Sequence, residues 1–315
     1  MSEEDRLALW FAVTPGHLLR RAQQVHTDRW SQMVAQDVTG PQYATLVAIA
    51  GWPEVDQRRA GELASLDKST VAGVVRRLEQ KGWIDRRPDP HDARRRLLVL
   101  SDCAKEQMPS LTAAAAQVQS FLLDPVPEEQ RASLIGLLQR VAFRDEEGML
   151  GLAPEHEIDA LEMVSTPGYL IRRAQQVHAL LWNEILAGDL TSSQYAVLAA
   201  TAAVDSIDQA SIGTRASLDS STVADVVARL TDKGWLTRDR DPVDRRRFSV
   251  SLTGPAVAAM RHLTGSVERV QDHLLARLDR GERAQFVELM QRVARIDPRP
   301  GAQSGAGTTA SSVVG

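Results

Sequence analysis

The sequence predicts a mainly α-helical chain with small β-hairpins, built from two copies of one unit. Three observations support this prediction. The segment that begins at Thr14 returns at Thr166 with substitutions at only two of its 13 positions. Apolar residues within each copy recur at the spacing of a helix face. In each copy a Lys-Gly-Trp segment is followed by strand-like runs around an arginine-rich turn.

The repeat extends over most of the chain at a constant offset of 152 residues, without insertion or deletion. Such a long period indicates two domains rather than a solenoid of small units. We therefore expect one unit at 1–146, a connection at 147–156, a second unit at 157–296 and a disordered tail at 297–315. Further matched segments are Gln42-Tyr43 with Gln194-Tyr195, Ser69–Ala72 with Ser221–Ala224, Lys81–Trp83 with Lys233–Trp235, and Gln139–Ala142 with Gln291–Ala294.

The composition is that of an ordinary globular protein and restricts the function classes. Of 315 residues, 25% are charged and 43% are apolar, and the net charge is −4, so a nucleic-acid role would depend on local basic patches. The single cysteine, Cys103, excludes an intramolecular disulfide and fits a reducing compartment. No apolar run approaches the length of a spanning helix, and the acidic N-terminus does not resemble a signal peptide. We expect a cytoplasmic protein.

Each element of the first unit follows from its local sequence. Helical periodicity predicts helices over about 5–36, 41–51, 58–65, 68–81, 102–123 and 127–146. The first opens on acidic residues, which suit a helix N-terminus, and Gly82 ends the fourth. The turn-forming run Asp89-Pro90-His91-Asp92 predicts a hairpin between a strand after Trp83 and a strand at 96–100. The second unit repeats this order.

The helix over 68–81 has an outer face suited to the major groove of DNA. Its apolar residues form one stripe, which leaves small hydroxyl residues and arginines outside. Serine and threonine can bind phosphates or base edges, and arginine can address a guanine edge. Asp67 is placed to cap the helix. An ordinary amphipathic helix with a polar face is the alternative. The candidate DNA contacts are Lys68, Ser69, Thr70, Gly73, Arg76 and Arg77.

An arginine-rich hairpin after this helix favours DNA binding. A basic wing in that place can reach a minor groove and its flanking phosphates. We expect Arg94 and Arg246 to point into the groove, with Arg95 and Arg245 beside them. Asp92 would hold the guanidinium of Arg94, and Asp244 would hold that of Arg246. The wing arginines are Arg86, Arg87, Arg94, Arg95 and Arg96 in the first unit, and Arg238, Arg240, Arg245, Arg246 and Arg247 in the second.

The combined pattern resembles the MarR family of bacterial transcription regulators. The resemblance covers nearly the whole chain. It implies winged helix-turn-helix units, a dimer built from the outer helices, a palindromic operator, and release by a small aromatic or phenolic effector. Family members normally carry one unit per chain. We therefore expect the tandem units to form an internal pseudo-dimer, while pairing of two chains as a homodimer stays open. The matching segments are Leu63-Ala64, Asp67–Val71, Lys81–Trp83, Asp89–Arg94 and Leu98–Ser101, with Ser221–Val223, Lys233–Trp235 and Asp241–Arg246 in the second copy.

The second copy differs most at the positions that would face DNA. Asp225 replaces Gly73, and Ala228 replaces Arg76, so the second helix is less basic. Asp225 either accepts a hydrogen bond from cytosine or repels phosphate. We expect both units to bind DNA, the second with less affinity, on an asymmetric operator. The candidate contacts of the second helix are Ser220, Ser221, Thr222, Asp225 and Arg229.

The segment that the copies share best lies in the first helix and is our candidate for effector binding. In MarR-like proteins the pocket lies between the first two helices and the winged domain. An arginine and a histidine in an apolar cleft would suit an aromatic carboxylate, with Trp30 and Trp182 as ring walls. A solvated charged face with a core histidine is the alternative. The candidates are His17, Arg20, Arg21, Gln24, His26 and Tyr43, and in the second copy Tyr169, Arg172, Arg173, Gln176, His178 and Tyr195.

These observations predict a transcription regulator, a repressor released from double-stranded operator DNA by an aromatic acid or phenol. The sequence has no metal-spaced histidine cluster, phosphate-binding glycine loop or nucleophile motif, so we expect no catalysis, cofactor or metal. The alternative is a ligand-binding or protein-interaction module with weak or lost DNA binding. Cys103 could sense oxidants from its helix start, but Pro255 replaces it in the second copy.

Overall fold

The computed structural model describes residues 11–34, 37–52, 54–92, 94–143, 154, 160–186, 188, 190–240 and 248–296. Nearly all of the expected connection at 147–156 and the expected tail at 297–315 lie outside these residues. The described chain is mainly helical with two small antiparallel sheets. None of its helices is both long enough and apolar enough to cross a membrane.

The first unit is helical apart from one hairpin whose strands pair antiparallel, with Ile84 opposite Leu100. A single bridge from Asp56 to Leu97 adds to this sheet. The elements are α1 (Pro15–Met33), α2 (Gly40–Gly51), α3 (Gln57–Leu63), α4 (Lys68–Gln80), β1 (Ile84–Pro88), β2 (Arg96–Leu100), α5 (Asp102–Leu123) and α6 (Glu128–Ala142).

The second unit repeats this order, and its sheet gains a short third strand, Ile207–Asp208, which pairs with the strand Phe248–Leu252. A 3₁₀ turn (Met163–Ser165) precedes its first long helix. The elements are α7 (Pro167–Leu186), α8 (Ser192–Ala202), β3 (Ile207–Asp208), α9 (Gln209–Ala216), α10 (Ser220–Asp232), β4 (Leu236–Arg240), β5 (Phe248–Leu252), α11 (Gly254–Leu274) and α12 (Arg280–Val293).

The first helix differs from the single segment expected over 5–36. Residues 11–13 are helical, but Thr14 has extended backbone angles (φ −82°, ψ 115°) and a new helix begins at Pro15. A proline ring disfavours the helical conformation of the residue before it, and proline is well suited to the first turn of a helix. The chain therefore bends at Thr14, and α1 ends at Met33.

The two copies meet through the paired helices α1 and α7. Gln119 Oε1 accepts a hydrogen bond from the backbone N–H of Gly168 at 2.8 Å, and its Nε2 lies 3.3 Å from Nε2 of His26. The second copy repeats the arrangement. Gln271 Oε1 accepts from the N–H of Gly16 at 2.9 Å, and its Nε2 lies 3.3 Å from His178. We call these two Gly-His-Gln groups the junction.

Further contacts between the copies surround the junction, and the first two of them are symmetric. Gln139 donates to the carbonyl of Val164, and Gln291 donates to the carbonyl of Ala12, each at 2.7 Å. Arg140 of α6 forms a two-pronged ion pair with Glu282 of α12, at 3.0 and 2.8 Å. The two copies thus pack as an internal pseudo-dimer.

Glycine at the junction is required by space. A Cβ on Gly168 would lie 2.5 Å from Nε2 of His26 and 2.9 Å from Oε1 of Gln119. We predict that Gly168→Ala lowers the free energy of unfolding by about 1–3 kcal/mol, as overpacked cores do. The matched control is Gly136→Ala in α6, where an added Cβ meets nothing within 4 Å. Urea unfolding should show the control unchanged or more stable. Equal effects of the two substitutions would contradict the packing argument.

Burial keeps the junction histidines neutral. Burial, and then the charge of Arg172, lowers the pKa of His26 from 6.5 to about 4. Burial, and then the charge of Arg20, lowers the pKa of His178 to about 3. The geometry agrees, because each glutamine uses its oxygen on a glycine N–H and so turns its NH₂ donor toward the ring. A protonated ring could not accept from that donor.

These shifts give the stability a defined dependence on pH. Both folded pKa values lie below the unfolded value of 6.5, so the unfolded chain binds more protons as the pH falls below 6.5. We predict full stability above neutral pH and a loss of up to about 2 kcal/mol per histidine near pH 5. Urea unfolding near pH 7.5 and near pH 5 measures it. The loss should be smaller in His178→Gln, and equal stability of the parent at both pH values would refute the account.

Candidate DNA-binding heads and effector clefts

Each unit presents a helix-turn-helix, formed in the first unit by α3 and α4. Asp56 caps α3 by accepting from the N–H of Arg59, and Ser65 makes the turn in the left-handed conformation (φ 51°). Asp67 caps α4, as the sequence predicts, and accepts from the N–H groups of Ser69 and Thr70 at 2.9 Å each. Their hydroxyls also donate to Asp67, and these bonds hold the pKa of its carboxyl well below the usual range.

The outer face of α4 is exposed and positively charged. Among the residues that the structure describes, no acidic side chain forms an ion pair with Lys68, Arg76 or Arg77. An added Cβ at Gly73 would meet only the end of Arg77, at 3.6 Å, so this part of the face is open. Ser69 keeps only acceptor capacity, since its hydroxyl proton is directed to the cap.

Arg95 is placed differently from the expected DNA contact. Its guanidinium lies 3.0 Å from a carboxylate oxygen of Asp56 and 3.2 Å from one of Asp89, and it donates to the carbonyl of Glu54 at 2.9 Å. It therefore ties the wing to the start of α3. Local sequence did not show this, because Asp56 is far from the hairpin along the chain.

Arg94, next to Arg95, is exposed. Asp92, which the sequence predicted to hold its guanidinium, makes a different contact. Asp92 accepts from the backbone N–H of Arg94 at 2.9 Å and shapes the turn, instead of holding the guanidinium. The equivalent wing tip of the second unit, with Arg245 and Arg246, lies outside the described residues.

The second helix-turn-helix, α9 and α10, has a similar backbone and a different charge. Asp219 caps α10 by accepting from the N–H of Thr222, and the hydroxyls of Ser221 and Thr222 donate to it. Asp225 pairs with Arg229 through two contacts of 3.2 and 3.0 Å, so this face carries a carboxylate beside its arginine. We call residues 56–100 the first head and residues 207–252 the second head.

A small cavity of about 30 Å³ lies where the two copies meet, and we call it cleft 1. That volume holds roughly one water molecule. Both copies contribute to its wall, which includes His26, Trp30, Tyr43 and Gln119 from the first unit and Tyr169 and Arg172 from the second.

Aromatic rings form one side of cleft 1. Trp30 lies 5.5 Å from the ring of His26 and 5.7 Å from the ring of Tyr43. The Tyr43 hydroxyl accepts from the N–H of Leu161 at 3.1 Å, which ties the segment before α7 to α2. In the second unit, Trp182 lies 5.7 Å from the rings of both His178 and Tyr195. Burial raises the pKa of the Tyr195 hydroxyl.

Arg172 is the cation of cleft 1. Its Nη2 donates to the carbonyl of Ala64 at 2.9 Å, and its buried Nε has no hydrogen-bond partner in the described ranges. Burial lowers its pKa to about 10, which still leaves it charged at neutral pH. Arg20 occupies the equivalent place near His178, and burial lowers its pKa also to about 10.

The structure divides the predicted effector residues in a way that the sequence did not show. His26 and Tyr43 meet Tyr169 and Arg172, so the halves of one cleft come from different copies. Arg21 instead bonds Gln24 on its own helix, at 3.1 Å. Sequence reasoning missed Gln119, although its identity with Gln271 at the repeat offset was a usable signal.

The polar face of α7 also contacts the turn of the first head. Four residues of α7 form hydrogen bonds with the end of α3 in the other copy. Two of them also line cleft 1, and the other two lie outside it. We call these contacts the clamp. They run from the Tyr169 hydroxyl to the Leu63 carbonyl (2.9 Å), from Ser65 Oγ to Tyr169 (3.0 Å), from Arg172 to the Ala64 carbonyl (2.9 Å), from Arg173 to Ser65 Oγ (3.2 Å) and from Gln176 to the Ser65 carbonyl (2.7 Å).

Comparison with known proteins agrees with this architecture. MarR family models match residues 36–95 and 190–248. The transcriptional regulator HosA of Escherichia coli O111:H- is 32% identical over 125 residues, which cover 40% of this chain and 92% of HosA. The HTH-type transcriptional repressor NicR of Pseudomonas putida is 26% identical over 132 residues, covering 42% of this chain and 84% of NicR.

A solved structure of the PcaV transcriptional regulator from Streptomyces coelicolor, in complex with its natural ligand, is 42% identical. The match covers 44% of this chain and 98% of that chain, with a TM-score of 0.42. The matches to HosA and NicR each account for less than half of the present chain, as expected for a sequence that contains the unit twice. The chain belongs to the MarR family and carries two of its winged helix-turn-helix units in one polypeptide.

Proposed function

We propose that this protein represses transcription by binding operator DNA with its two heads, and that a small aromatic carboxylate or phenol releases it. The observation that carries the proposal is the double placement of Arg172 and Tyr169, which line cleft 1 and also contact the turn of the first head. NicR, a relative, is named as a repressor, which supports that direction of control.

The first head supplies most of the affinity for DNA. Lys68, Arg76, Arg77 and Arg94 are exposed. Cations on the outer face of such a helix can bind phosphates and address guanine edges. Arg95 positions the wing and is not part of the proposed interface.

The second head binds more weakly and reads a different half-site. On the face of α10 the carboxylate of Asp225 pairs with Arg229, and Ala228 stands where Arg76 stands in α4. The operator is therefore asymmetric. The same ion pair also favours a second candidate function, a ligand-binding module whose affinity for DNA is weak or lost. Phosphate contacts make affinity fall steeply with salt, which separates the two candidates.

Cleft 1 suits an anion that carries a ring. Arg172 is a partly buried cation whose Nε has no hydrogen-bond partner in the described ranges, and an incoming carboxylate would accept from it with charge-assisted bonds. Trp30, Tyr43 and Tyr169 supply apolar walls and hydroxyl groups. The second copy places a similar buried arginine and histidine together at Arg20 and His178, with His17 in place of Tyr169.

Release follows from the size of the cavity. Pockets for drug-sized ligands measure about 300 Å³ or more, whereas cleft 1 measures about 30 Å³. An aromatic acid can enter only if the wall moves. A carboxylate that draws Arg172 toward itself competes with the Ala64 carbonyl, and a ring beside Tyr169 displaces its bond to Leu63. The ligand therefore frees the turn of the first head.

Substitutions in the two DNA-facing helices should have unequal effects. We predict that Arg76→Ala weakens binding to the DNA upstream of the gene by about 1–3 kcal/mol, and that Arg229→Ala costs less than about 1 kcal/mol. Fluorescence anisotropy at two salt concentrations measures both. Arg292→Ala, on the distant helix α12, is the control. Equal losses at Arg76 and Arg229 would rule out unequal heads. An affinity that does not respond to salt would favour the non-DNA module.

Effector binding should depend on the cavity cation. We predict that some members of a panel of hydroxylated benzoates raise the melting temperature and weaken DNA binding, and that the matching benzyl alcohols, which keep the phenol and lack the carboxylate, have smaller effects. Arg172→Gln should weaken the acid at cleft 1 by about tenfold or more, since bonds to charged groups contribute about 1.5–3 kcal/mol. Arg173→Gln is the matched control, because Arg173 reaches the turn without lining cleft 1. A panel without any responsive acid, or an Arg172→Gln protein that responds like its parent, would defeat the proposal.

A further inference from the structure

The turn of the second head lacks most of the clamp that the first head has. Ser217 makes this turn in the same left-handed conformation as Ser65, with φ 54° against 51°. Among the described residues, one hydrogen bond reaches it from α1, from Arg20 to the Ala216 carbonyl at 3.5 Å. The first head receives five such bonds, none longer than 3.2 Å.

The difference begins at the position where the copied segment carries His17 instead of Tyr169. The Tyr169 hydroxyl donates to Leu63 and accepts from Ser65, so one atom satisfies two groups of the turn. An imidazole is shorter than a phenol. His17 packs against the ring of Phe11 at 4.6 Å, and its buried Nδ1 has no hydrogen-bond partner in the described part of the chain.

The turn itself shows the matching deficit. Ser217 is buried, and its Oγ has no partner among the described residues. Arg21 and Gln24 hold the positions of Arg173 and Gln176, but they bond each other on α1. His17 Nδ1 and Ser217 Oγ thus remain without partners on the second side, within the part of the chain that the structure describes. On the first side Nε of Arg172 and Nε of Arg173 also lack partners in the described ranges, but the polar atoms of the turn itself, at Leu63, Ala64 and Ser65, are all hydrogen-bonded.

We propose that the residue at this position, tyrosine or histidine, sets how firmly each head is held, and that the free chain has a fixed first head and a second head that opens readily. Buried polar groups without partners regain hydrogen bonds when water reaches them, so local opening costs less free energy at Ser217 than at Ser65. The first head then sets the position on DNA, and the second adapts to it. His17 and Tyr169 are positioning residues in this scheme. The inference concerns the free chain and does not depend on an effector.

Hydrogen–deuterium exchange of the full chain, without ligand or DNA, tests the proposal. We compare protection factors of the amides in 209–218 with those in 57–66, so that the intrinsic rates of the two sequences are removed. We expect protection at the second turn to be lower by about tenfold or more. Equal protection of the two segments would overturn the proposal without any variant.

Substitutions then assign the effect to the hydroxyl. His17→Tyr should raise protection at 209–218 toward the value of the first turn, whereas His17→Phe, with a similar ring and no hydroxyl, should not. Tyr169→Phe should lower protection at 57–66 and leave the second turn unchanged. If the His17→Tyr protein does not fold, the exchange of residues 57–66 in Tyr169→Phe still tests the role of the hydroxyl. Protection that changes equally with tyrosine and phenylalanine, or does not change in Tyr169→Phe, would overturn the assignment.

Discussion

The close approach of a glycine to a histidine ring across the two copies is the contact on which the molecule depends. It needs a residue without a Cβ at Gly16 and Gly168, an uncharged imidazole, and a glutamine turned so that its oxygen meets the glycine N–H. The glycines and histidines belong to the copied segment, and the glutamines that contact them lie in α5 and α11. The strongest repeat in the chain is thus explained first as an interface.

This junction also explains why the functional residues act across the copies. Once α1 and α7 are paired at their starts, the polar face of each helix is directed at the head of the other unit. Arg172 therefore holds a turn that belongs to the first unit and borders a cavity built by both. A ligand that binds there would change the interface between the copies, the cavity wall and the contacts that hold the first head. Such coupled changes suit a switch between two packed arrangements.

Much of the fold follows from local sequence, whereas the site does not. Helical periodicity and the cap at Asp67 give α4 nearly as observed, and the repeat gives α10 in the second unit. The break at Thr14 was also accessible, since a proline follows it. The sequence could not show that each copy supplies part of the wall of cleft 1. Comparison of the repeats identifies equivalent residues, but it does not show which residues of the other copy they contact. The contact of Arg95 with the start of α3 was hidden for a similar reason, since its partner Asp56 is remote in sequence.

The central claim is that the two units of one chain pair with each other. The ion pair between Arg140 and Glu282 spans that interface. A protein with Arg140→Cys, Glu282→Cys and Cys103→Ser, treated with a short bismaleimide at low concentration, measures the pairing directly. If the pseudo-dimer is internal, a cross-linked product with the mass of one chain forms and keeps residues 140 and 282 in one linked peptide. Cross-linked species with the mass of two chains, in place of that product, would contradict the account.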